Sequence, residues 1–232
     1  AGLGAEVTAA LTPLQGTVTD DRQRCGVARE LARAGDMAKT AVLWQILQSP
    51  ADHGHVHAAE SLFKAGWERQ ADPVPLRRAL VQETNPRLSA MAAAALARHA
   101  GDAGALAFLR NSVAEEADPE LLSLHAWALG QLGSPQDAAL LRRRLKDLPD
   151  AWLRSFLENA LARLGDTAGR AAVLRNLASE DARMAAYAAE TAGAARMPEA
   201  RGALIALLHH SDLDTRIRAA QALLLLSTPY PQ

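Results

Sequence analysis

The chain has 232 residues, 49% hydrophobic and 22% charged, with a formal net charge of -1. That near-neutral balance argues against a dedicated nucleic-acid binder, which needs a strongly basic face. No apolar run approaches the ~18–20 residues of a membrane span, and the single cysteine, Cys25, excludes a disulfide framework and a thiolate zinc site.

The chain opens at Ala1 without a methionine and without the features of a signal peptide, as expected of a processed chain or a piece of something longer. One thiol is compatible with cytoplasm or periplasm alike. Gly2-Leu3-Gly4 has no preceding strand pattern, so it is not a dinucleotide motif. Leu3, Val7, Ala10, Leu11 and Leu14 are spaced as one apolar helix face. From there a single motif recurs: an apolar helix rich in small residues, ending in Leu and closed a turn later by Gly. It reads ARELARAGD at 28–36, AESLFKAG at 59–66, AALARHAGD at 94–102, AWALGQLGS at 126–134 and ENALARLGD at 158–166. The marker leucines are Leu31, Leu62, Leu96, Leu129, Leu161 and Leu223, with a degenerate copy near Thr191 and Ala192. An acidic residue keeps the same period of about 32 residues at Asp21, Asp52, Glu83, Glu115, Asp147, Glu180 and Asp212. Each sits before a helix, where a carboxylate accepts from free N–H groups at the positive helix end.

Each period holds two helices, the first running for example from Asp150 to Leu164 and the second from Gly169 to Ala178. The closing Gly fits a position that needs left-handed φ. No alternating strand pattern is present. The predicted fold is an all-α, right-handed superhelix of about seven two-helix repeats in one domain, residues 1–232. Its phase gives six full hairpins with a half unit at each end. These residues resemble the HEAT-like repeats of the phycobilin-lyase type, whose pattern is an Arg seven residues before the helix-ending Leu, then small residues, Ala-Leu and a Gly-Asp turn. Arg24, Arg154 and Arg216 stand in the Arg slot, and His55 replaces it in the second unit. The resemblance covers almost the whole chain and implies the fold; scaffolds, lyase subunits and appended domains all use this repeat.

Four features are candidate sites. Arg78, Arg110, Arg142 and Arg175 recur at intervals of 32, 32 and 33 on second helices. As a row on the concave face they would bind carboxylates or phosphates of a partner such as an acidic protein segment; otherwise they are solvated or pair with nearby acids. His53 and His57 would share a helix face as weak candidate metal ligands, with His55 in a structural slot. Trp44 and Trp67 are interface anchors or core, and Trp127 is expected in the core. Leu223, Leu224, Leu225 and Leu226 cannot all face one hairpin, so self-association there, or cover from the tail with Pro229 and Pro231, is expected. No cofactor is expected, and Cys25 reads as a buried, inert thiol. The leading functional reading is a non-catalytic protein–protein interaction scaffold, with no membrane association. The alternative is a bilin-lyase-like enzyme subunit or accessory domain, needing a groove with His or Arg for propionates. A third, a HEAT-like DNA glycosylase, needs a positive groove.

Overall fold

The computed structural model describes residues 3–51, 53–82 and 85–228. Fourteen α-helices occur among them: α1 Leu3–Leu11, α2 Asp21–Arg33, α3 Thr40–Leu47, α4 His55–Ala65, α5 Val74–Gln82, α6 Pro86–His99, α7 Ala103–Glu115, α8 Pro119–Leu132, α9 Ala138–Leu145, α10 Ala151–Arg163, α11 Thr167–Asn176, α12 Ala182–Ala194, α13 Arg201–Leu207 and α14 Leu213–Ser227. No strand occurs among the described residues. The helices pair as six hairpins, α2–α3 through α12–α13, with α1 and α14 as half units. This is the all-α solenoid that the repeat phase predicts. Helix α1 is shorter than its apolar stripe: it gives way at Thr12 to a 3₁₀ segment, Thr12–Gly16, with Pro13 in its first turn.

The helix starts are capped in phase, but mostly by other residues than the predicted acids. Asp20, Asn85, Asp118, Asp150, Asp181 and Asp212 accept from backbone N–H groups two or three residues on. Only Asp212 belongs to the acid series. Asp21 lies one residue inside α2 and bonds Arg24 instead, and Asp147 bonds Arg144. Asp52 and Glu83 fall outside the described residues. The physical reason is geometric: an N-cap side chain reaches N2 or N3 only from an extended backbone just outside the helix, and most of the periodic acids are not at that position. Four of the five motif glycines have the predicted positive φ, Gly35, Gly66, Gly101 and Gly165, whereas Gly133 closes its helix at φ -72°. In the sixth hairpin Arg196 holds that position at φ 48°, and its guanidinium bonds the carbonyls of Leu225 and Thr228 at the end of α14.

The chain divides into two compact units, Ala1–Leu109 and Arg110–Gln232. In the first, α2 packs on α4 and α4 on α6; in the second, α8 packs on α10 and α12 on α14. Leu31, Leu62 and Leu96 are fully buried in the first unit, Leu129 and Leu161 in the second. The small residues of the motif let these helices approach closely. A Cβ added at Gly130 would lie 2.5 Å from Ala160 Cα, so only glycine allows α8 and α10 to meet there. Leu223 departs from the prediction. It is only partly buried against the α12–α13 core, while Ala219 and Ala222 are buried. No later helix among the described residues covers its other side, and Leu224 and Leu225 are 67% and 43% exposed. Cover by Pro229 and Pro231 lies outside the described residues.

Candidate functional site

A salt bridge joins the second helix of one hairpin to the turn of the next, and it recurs. Arg77 on α5 donates to Asp102 at 2.6 Å. Arg110 on α7 grips Asp137 with two bonds, 2.8 and 3.0 Å. Arg142 on α9 donates to Asp166 through Nε at 2.7 Å and also through Nη2. Arg170 on α11 takes Glu199 in a fork, 2.9 Å at each tooth. The turn acids serve two ends, because Asp166 also caps α11 by accepting from Gly169 N–H. Burial raises the Asp137 carboxyl, but the guanidinium of Arg110 and the N–H of Ser134 outweigh it and hold the group below its ordinary range. Asp166 is lowered too, since the Gly169 N–H and Arg142 overcome its desolvation.

The hairpin α4–α5 breaks this pattern. Its turn carries Gly66-Trp67 where others carry Gly35-Asp36, Gly101-Asp102 and Gly165-Asp166. The helix facing it, α3, supplies Trp44 in place of an arginine. The two indoles meet edge to face, centroids 5.5 Å apart at 76°, an arrangement aromatic quadrupoles favour. Trp67 in turn contacts the His99 ring at 5.1 Å. His99 Nε2 lies 2.9 Å from the Phe63 carbonyl, and burial lowers the pKa of this imidazole. The connection is also longer, residues 66–73 against 100–102 and 164–166 in other hairpins. Long connections in a regular fold are where binding sites are built.

Beside this aromatic pair the first unit opens a cleft of about 750 Å³, bordered by α3, α4 and α5. Its apolar wall includes Leu47, Val74, Leu88 and the Trp44 ring; its polar groups include His55, Asp72 and Arg78. The Trp44 indole N–H is out of water and has no acceptor. Leaving such a donor unpaired costs about 1–3 kcal/mol. His55 Nε2 lies 3.0 Å from the Ser49 carbonyl, six residues back. Arg216 reaches the His210 carbonyl over the same six-residue interval. His55 thus matches Arg216 in this slot, whereas Arg24 and Arg154 pair with Asp21 and Glu158 instead. Asp72 accepts from Val74 N–H at the start of α5. Arg78 is exposed and has no ion-pair partner among the described residues. A smaller cavity of about 370 Å³ lies by Trp67 and His99.

The predicted arginine row is thus divided. Arg110 and Arg142 are two of the clasps. Arg175 bonds the buried Glu158 at 2.9 Å, alongside Asn176. Arg78 alone borders the cleft, and its neighbour Arg77 is the one that clasps a turn acid. A partner's carboxylates would have to displace the internal ones at the other three positions. His53 and His57 are not brought together as a helical pair. His53 precedes α4 and lies 3.1 Å from Asp21, whereas His57 is 3.8 Å from Glu60. Gly54, the N-cap of α4, lies between them, so the helix starts only after His53; a Cβ there would lie 2.6 Å from the Ile46 side chain. No group of three or more metal-ligating side chains occurs among the described residues. Trp127 is half-buried rather than in the core. No described helix is long and apolar enough to cross a membrane. Trp44 and Trp67, expected singly as interface anchors or core, meet as a pair, and their pairing left one mark in the sequence: Gly-Trp where the motif calls for Gly-Asp.

The family model for HEAT repeats matches residues 73–162, less than half of the chain, and the all-α fold around it is a HEAT-like solenoid. A search of the curated proteins found no match. Among solved structures the chain is similar to human deoxyhypusine hydroxylase in complex with glycerol, at 20% identity and a TM-score of 0.46, over 94% of this chain and 88% of that one. The expectation of a non-catalytic protein–protein interaction scaffold is corrected and is not carried forward.

Proposed function

We propose that this chain is a subunit or accessory domain of an enzyme, and that it contributes a small-molecule site, the cleft beside α3, α4 and α5. One observation carries the reading. The arginine–acid clasp that joins neighbouring hairpins elsewhere is replaced here by Trp44 and Trp67, and a cleft opens beside them. A cleft of about 750 Å³ is of the size that holds small organic molecules. The bilin-lyase form of the reading needs a groove with Arg or His for two propionates; Arg78 borders this cleft, but His55 is already held by the Ser49 carbonyl. The glycosylase form needs a positive groove, and Asp72 opposes Arg78 at this one. No catalytic group is assigned.

The test is a thermal-shift screen of small organic ligands, biliverdin included, on the full chain and on Val74→Trp, which narrows the rim. At least one ligand class should raise the melting temperature of the parent and lose that effect in the variant. A screen without any hit, or hits that ignore the substitution, would overturn the proposal.

A further inference from the structure

We infer that the cleft takes a molecule with a single carboxylate on a flat, largely apolar body. The inference rests on the reading of the cleft as a ligand site and assigns its chemistry. Three observations decide it. First, the free cation at the rim is Arg78; among the described residues no carboxylate pairs with it, whereas Arg77, one residue away, is committed to Asp102. A guanidinium at the mouth of an apolar cleft recognises a carboxylate by two parallel bonds. Second, the other groups do not add a second anion site. His55 Nε2 is held by the Ser49 carbonyl, and Asp72 places a negative charge at the same cleft. A dianion would meet one attraction and one repulsion. Third, the remainder of the ligand faces the apolar side chains of Leu47, Val74, Pro75, Ala79 and Leu88 and the ring of Trp44.

Isothermal titration with 2-naphthoate, the neutral alcohol 2-naphthylmethanol and naphthalene-2,6-dicarboxylate tests this. The protein should bind 2-naphthoate at least about tenfold more tightly than the alcohol, one carboxylate–guanidinium pair being of that order. The dicarboxylate should bind no more tightly than 2-naphthoate. Arg78→Gln should bring 2-naphthoate down to the level of the alcohol; the side chain is exposed, so the fold tolerates the change. If the alcohol binds as well as the acid, if the dicarboxylate binds more tightly, or if Arg78→Gln keeps the preference, the assigned chemistry is wrong and the cleft remains a site for another ligand. If none of the three binds at millimolar concentration, the assigned chemistry is again wrong; whether the cleft itself fails is then decided by the broader screen.

Discussion

The clasp between Arg110 and Asp137 yields a prediction with a definite pH dependence. The perturbation is Arg110→Ala. It leaves the Asp137 carboxylate, 8% exposed, with only Ser134 N–H and hydroxyl as partners. Removing one partner of a buried charge-assisted bond costs about 1–3 kcal/mol. The Arg110 side chain is 41% exposed, so solvent screening brings the expected value to about 1–2 kcal/mol. For a domain of this length that is a loss of roughly 2–4 °C per kcal/mol. The sign with pH follows from the depressed carboxyl. Its folded pKa lies below the ordinary 3.8, so the clasp's contribution is fully present above that value and is lost as pH falls through the folded pKa. The parent and Arg110→Ala should therefore differ at pH 7 and converge in strong acid. Denaturant melts across that range, with Asp137→Ala and the double variant, read the coupling directly. A gap that persists after Asp137 is protonated, or a coupling energy near zero, would refute the assignment of the clasp as a stabilising pair.

Two further outcomes follow from burial. Leu161→Ala should cost ~2–5 kcal/mol, since the side chain is 1% exposed. The same change at Leu223, half-covered at the end of the stack, should cost distinctly less; equal losses in chemical denaturation would count against the register. Cys25 is 1% exposed, and burial followed by the nearby Asp21 pushes its thiol up to about 12. A disulfide reagent at neutral pH should label it only as fast as the protein opens, and immediate labelling of the folded protein would contradict that environment.

The sequence by itself determined the period, the helical hairpins, the small-residue contacts and the glycine turns. These depend on residues within one hairpin or facing its immediate copy, so a repeat spells them out in every unit. Five of six marker leucines are buried where the phase puts them, and the sixth is not because burial also needs a neighbour to cover it. The site depended on tertiary structure. The clasp partners lie 24–29 residues apart on different hairpins. The period alone could not choose between Arg77 and Arg78, yet adjacent residues point about 100° apart around a helix. One of them is therefore locked to Asp102 and the other left at the cleft. The Gly-Trp turn was legible as a break in the motif. That Trp67 meets Trp44, and that their meeting replaces an ion pair and leaves an indole N–H unpaired beside a cleft, was decided only when α3 was packed against the α4–α5 turn.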